Sequence, residues 1–191
     1  MNAKSVLGTI GHMFMVPFKV RRHPPTPPTA REHYEPTPLA ATVEAATMKA
    51  TEVPVAKTPP GGYREWPEPV LTGCDEPLVD GAPDLRGVWQ VHKGPLKGHV
   101  ERVEQAGDRV VITAGGVIHD MFVDGTLAGG VNDVRGGSSA PISVAARFED
   151  GRLNLYPGGR GVAVVTRYLD GDEMVWRYGP YRNRLHRLDP R

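Results

Sequence analysis

The feature that most restricts how this chain can fold is the spacing of turns between residues 84 and 191. Ala106-Gly107-Asp108, Ala114-Gly115-Gly116, Asp124-Gly125, Asp150-Gly151, Gly158-Gly159 and Asp170-Gly171-Asp172 interrupt it at near-regular intervals. Gly and Asp there supply the positive φ of tight hairpins, so each is read as a reversal of the chain. Several runs between them alternate with a period of two. Ile142, Val144, Ala146 and Phe148 oppose Ser143, Ala145, Arg147 and Glu149, while Met174, Trp176 and Tyr178 oppose Val175 and Arg177. The pattern predicts ten strands near 86–92, 97–105, 108–114, 117–123, 126–134, 141–149, 152–156, 161–169, 173–178 and 183–188. Successive hairpins leave two bare sheet edges unless the sheet curls shut, so the expected fold is all-β, a ten-strand antiparallel up-and-down barrel. Val162-Ala163-Val164-Val165 is apolar on both faces, which predicts a strand covered outside by the N-terminal part or by a second copy of the chain.

Proline and glycine divide the chain near Pro83. Fourteen of the nineteen prolines fall in 1–83 and seventeen of the twenty-three glycines in 84–191. This predicts a Pro-rich N-terminal extension over 1–83 and a barrel domain over 84–191. Arg22-His23-Pro24-Pro25-Thr26-Pro27-Pro28 should run as polyproline II. Leu39 to Thr51, LAATVEAATMKAT, lacks Gly and Pro and places Leu39, Val43, Ala46 and Ala50 at helical spacing, so one short helix is expected there. From Val53 to Pro83 the prolines return, with Tyr63 and Trp66 as the large aromatics, as in a strap laid along a barrel surface.

Near the start, SVLGTIGHMFMVPF lies between Lys4 and the cluster Lys19, Arg21 and Arg22. It is shorter than the ~20 apolar residues of a membrane span, and no small-residue cleavage site follows, so neither spanning nor secretion is expected. Residues 1–30 read instead as a segment for a membrane surface, with Val6, Leu7, Ile10, Met13 and Phe14 toward lipid, for a protein partner, or for neither. Cys74 is the single cysteine, far from any metal-ligand spacing, and fits a reducing, cytoplasmic location that is membrane-peripheral if the leader binds lipid. A formal net charge of +1 gives no basic excess for nucleic acid.

Leu85-Arg86-Gly87-Val88-Trp89 resembles the Gly-x-Trp opening of the lipocalins. Thr166-Arg167, Gly171-Asp172-Glu173-Met174-Val175 and Arg184-Leu185-His186-Arg187 resemble the closing strands of fatty-acid-binding barrels. Together they resemble the calycin group over residues 84–189. The resemblance implies that Trp89 is covered by an arginine of the last strand, Arg187 or else Arg184. Two departures stand out. The interval from His92 to His99 is too short for the two-helix lid of fatty-acid-binding proteins. Gln90-Val91-His92-Lys93 does not match the Gly-rich run of the haem-binding nitrobindins, so neither haem nor another cofactor is expected.

The last strands carry Arg167, Arg177, Arg184 and Arg187 with Tyr168, Tyr178 and Tyr181 interleaved. An inward arginine there can grip a carboxylate through paired, charge-assisted hydrogen bonds. The expected site is therefore Arg167 or Arg177 at the head group of an acidic amphiphile, Trp176 or Tyr178 along its chain, and His119 as a further lumen candidate. His119 and Asp120 are adjacent and point to opposite faces, so they form no dyad. His99, His119 and His186 lie on different strands without a ligand signature, and no metal is expected. No nucleophile elbow, phosphate loop or paired-carboxylate motif is present. Three readings follow, in order: a binding protein for a small apolar or acidic amphipathic molecule, a barrel enzyme of isomerase or lyase type acting on one, and an accessory subunit docking on a larger assembly or membrane through its extension. Oligomerisation is open in all three.

Overall fold

In a computed structural model, residues 48–60, 62, 63, 65–135 and 141–188 are described. They form one antiparallel sheet in the order β4-β3-β2-β1-β10-β9-β8-β7-β6-β5, curled into a nearly closed barrel. The strands are β1 (Gly87–Lys93), β2 (Val100–Ala106), β3 (Arg109–Ala114), β4 (Val117–Phe122), β5 (Val131–Arg135), β6 (Pro141–Glu149), β7 (Arg152–Pro157), β8 (Val165–Asp170), β9 (Glu173–Tyr178) and β10 (Tyr181–Arg187). Nine of them carry the main wall. β5 is the exception, a five-residue strand whose ladder to β6 is interrupted between Val131 and Val134. Between β4 and β5 there is no ladder, and the seam is drawn together by single bonds. Phe122 N donates to Gly129 O at 2.7 Å and Gly125 N to Ala146 O at 3.0 Å, beside an isolated bridge between Asp124 and Arg147. A side chain at Gly130 would meet Val144 O of β6 at 1.8 Å, so glycine lets the chain entering β5 close on β6.

The expectation of ten regular strands in a closed barrel is corrected at two places, and that of a helix at a third. The strand expected over 126–134 begins at Val131, because Asp124 folds the preceding residues into a side-chain-capped turn. Its carboxylate accepts from Thr126 N and Thr126 Oγ1, and Thr126 Oγ1 accepts from Gly129 N. The strand expected over 161–169 begins at Val165, since Gly158, Gly159 and Gly161 all take positive φ and hold the chain off the ladder. Val162 is consequently 84% exposed, and nothing covers it among the described residues. The helix expected over 39–51 lies mostly outside the described residues. Its described end, 48–51, is a turn closed by Glu52 N to Lys49 O at 2.8 Å, and no helix occurs among the described residues.

Alternation sends Val91, Val103, Ile112, Leu153, Met174 and Leu185 into a continuous interior. Trp89 is buried among them. Its Nε1 donates to Leu85 O at 2.8 Å, and the Arg187 guanidinium lies 4.3 Å from its ring centroid while donating to Arg86 O. Arg184 points outward instead, to Asp170 and Glu173. Replacing Arg187 by alanine should lower stability by about 0.5–2 kcal/mol, the usual worth of a cation–π pair, as measured by urea unfolding.

The proline-rich segment 48–83 lies on the outer face of β2, β3 and β4. Proline denies it ladder hydrogen bonds, so it is held by buried charge. The Arg109 guanidinium donates to the carbonyls of Ala50, Val53 and Pro54 and pairs with Asp120, whose Oδ2 also accepts from Ala56 N at 2.7 Å. Arg102 reaches Glu104 and Glu68 O under the ring of Trp66, and Glu104 accepts from Leu71 N. Ala50, Tyr63 and Leu71 bury against Val111 and Ile118. Among the described residues no helix is long and apolar enough to cross a membrane.

The connections after β1, β3, β7 and β9 lie at one end of the barrel, called here the rim. Those after β2, β4, β6 and β8 lie at the other, the base.

Candidate functional site in the lumen

The interior is not wholly apolar. In VERVEQA of β2, alternation turns Glu101, Val103 and Gln105 inward, opposite Trp89 and Ala114, Ile112 and Val110 of the adjoining strands. Arg167 of β8 is inward as the cross-strand neighbour of Trp176. Three strands of the wall separate β2 from β8, so the pair these residues form crosses the lumen. Arg167 Nε donates to Glu101 Oε1 at 2.9 Å and Nη2 to Oε2 at 2.8 Å, with both side chains buried. Burial pushes the Glu101 carboxyl up, but the charge and hydrogen bonds of Arg167, with a smaller contribution from His99, pull it down to about 2. Glu101 is therefore an anion and the pair is neutral as a whole.

Aromatic rings surround it. Arg167 lies 4.9 Å from the Trp176 ring centroid, His99 stacks at 5.1 Å from the same indole, and Tyr178 follows at 5.9 Å. Burial raises the Tyr178 hydroxyl well above its ordinary value, so it stays protonated. His99 Nε2 stands 3.8 Å from Glu101 Oε2, beyond hydrogen-bond reach. Two buried polar atoms in this cluster, Trp176 Nε1 and His99 Nε2, have no hydrogen-bond partner. The indole N–H is a donor only, so it lacks an acceptor. Asn183 ties the cluster to the rim, since its Oδ1 accepts from Leu96 N at 3.0 Å and folds the β1–β2 connection inward.

Of the residues expected at the site, the structure brings together Arg167, Trp176 and Tyr178. Arg177 is exposed on the outer face, opposite Arg182 and Thr166. It stands apart from the lumen cluster. His119 is half-buried on the lumen side of β4, opposite Ile112. Glu101 was missed, and His99 was read only as one of three scattered histidines. The available signal was a glutamate in register with Val103 on a face otherwise reading as core, which a search for arginines alone passes over. Among the described residues no three His, Cys, Asp or Glu side chains cluster closely enough to hold a metal ion.

These features define an all-β antiparallel barrel with a neutral ion pair inside it and, beside that pair, the two orphaned ring nitrogens of Trp176 and His99. No protein-family model, curated protein or solved structure matches the chain.

Proposed function

We propose that this is a calycin-type barrel that binds a small, mainly apolar molecule in its lumen, with the molecule's polar end at Trp176, His99 and the Glu101–Arg167 pair. The carrying observation is the unpartnered indole N–H of Trp176. A buried donor without an acceptor costs about 1–3 kcal/mol, and a ligand oxygen would remove that cost. Both facing donors of Arg167 are already taken by Glu101, which weakens the case for an acidic head group and favours an uncharged one such as a carbonyl, ester or hydroxyl. The apolar neighbours Val144, Leu155 and Val165 suit a hydrocarbon body.

The test is a titration of full-length protein with a fluorescent long-chain acid and with its methyl ester. The ester should bind more tightly, and Trp176→Phe should weaken it about fivefold to tenfold, the loss of one hydrogen bond at ~1–1.4 kcal/mol. Binding of neither probe would overturn the reading. Tighter binding of the acid would restore Arg167 as the head-group anchor. A barrel enzyme is the second reading, supported by His99 beside Glu101. It requires turnover of a bound carbonyl compound that is lost in His99→Gln while binding persists.

A further inference from the structure

Charge is distributed unequally between the two ends of the barrel. At the rim the described connections read Gly94-Pro95-Leu96-Lys97-Gly98-His99, Gly115-Gly116, Gly158-Gly159-Arg160-Gly161-Val162-Ala163-Val164 and Gly179-Pro180, with no carboxylate among them. Lys93, Lys97, Arg160 and Arg177 are exposed there. The base is richer in acid, with Asp108, Asp124, Asp150 and Asp172 in its connections and Glu149, Asp170 and Glu173 at the adjoining strand ends, against the strand-end cations Arg152 and Arg187. The strap contributes Lys57 and the exposed acids Glu65 and Glu68 on either side of its Tyr63 N to Gly116 O contact with the rim.

The same rim presents apolar groups to water. Val162 is 84% exposed at the tip of its glycine-bounded loop, and Tyr181 is 37% exposed in the neighbouring β9–β10 hairpin. A protruding aliphatic side chain beside a tyrosine and a ring of cations matches the boundary of an anionic bilayer, where headgroups attract the cations and the acyl region receives the apolar tip. A flat electrostatic partner such as a polynucleotide would make no use of Val162.

We propose that the rim docks on anionic lipid surfaces, with Val162 entering the bilayer and Lys97 and Arg160 at the phosphates. Docking in this orientation places the β1–β2 and β7–β8 connections, and so the end of the lumen nearest His99 and Tyr178, against the membrane. The surface is distinct from residues 1–30 and does not depend on any lumen ligand.

Full-length protein is to be sedimented with vesicles of phosphatidylcholine alone and of equal parts phosphatidylcholine and phosphatidylglycerol. Binding is expected to the anionic vesicles only and should fall with added salt. Arg160→Glu removes one cation and adds one anion, so it should lower partitioning roughly 25-fold, at about 1 kcal/mol per charge near such a surface. Val162→Asp should lower it at least tenfold, and Asp172→Lys at the base should not lower it. Val162 and Arg160 are exposed, and unchanged thermal unfolding of each variant is the check on folding. Wild-type partitioning retained by Arg160→Glu and Val162→Asp would overturn the proposal and assign any binding to another segment. Absence of wild-type binding, or losses seen on single-stranded DNA but not on vesicles, would overturn it as well.

Discussion

Replacing Arg167 by methionine should cost about 3–5 kcal/mol of folding stability, the usual penalty for stranding one member of a buried ion pair, and should invert the response of stability to acid. In the wild type the Glu101 carboxyl is depressed from 4.5 to about 2 by its partner. A depressed carboxyl contributes stability that is complete above its unfolded value and is lost as pH falls through the folded one. The wild type should therefore weaken between about pH 4.5 and pH 2, by about 3 kcal/mol from this group. With the guanidinium gone, burial, opposed only by the smaller pull of His99, acts and raises the carboxyl. Its contribution is then present below the unfolded value and lost as pH rises. The gap between variant and wild type should thus be widest near neutrality and narrow on acidification, as read from urea midpoints across that range. Glu104, which burial raises against the pull of Arg102, tilts both proteins alike and cancels in the comparison. Combining Arg167→Met with Glu101→Leu should recover most of the loss, because a well-packed apolar pair often replaces a buried ion pair without cost. Equal stability of the single variant and wild type at neutrality would mean that the pair does not hold the lumen together.

Arg109→Met should have an effect of similar size by a different route. It leaves Asp120 buried beneath the strap and removes the donor from the carbonyls of Ala50, Val53 and Pro54. About 3–5 kcal/mol is expected from the stranded carboxylate. Because those carbonyls fix the beginning of the strap, trypsin should cut after Lys49 and Lys57 much faster than in the wild type, before the barrel itself unfolds. Unchanged cleavage, or stability within about 0.5 kcal/mol of the wild type, the range of ordinary surface substitutions, would show that the strap is held by its apolar contacts alone.

The hairpin turns are legible because their cause is local. Asp150, Gly151 and Gly171 take left-handed backbone conformations that few other residues accept, and each of these turns reverses the chain where it stands. Inward residues such as Trp176 and Tyr178 are legible for the same reason, since a strand has a period of two wherever it lies. Trp89 under Arg187 is a register neighbour between β1 and β10. It could be anticipated only through the resemblance of its flanking residues to other barrels.

The end of one strand and the partner of a charge are decided elsewhere. Val162-Ala163 is apolar enough for a strand, yet three positive-φ glycines before it hold it off the ladder and leave Val162 at the rim. Arg167 and Arg177 are alike as letters in adjacent strands. Curvature carries Arg167 across the lumen to Glu101, 66 residues away in sequence, while Arg177 is left in water. Likewise Arg109 and Asp120 read as ordinary surface charges until the strap covers them. Local conformational preference and alternation thus determined the turns, the strands and the inward side of each. Which charges meet, and which are neutralised, depended on closure of the sheet, because a pairwise electrostatic contact is set by distance in space and carries no periodic trace in the sequence.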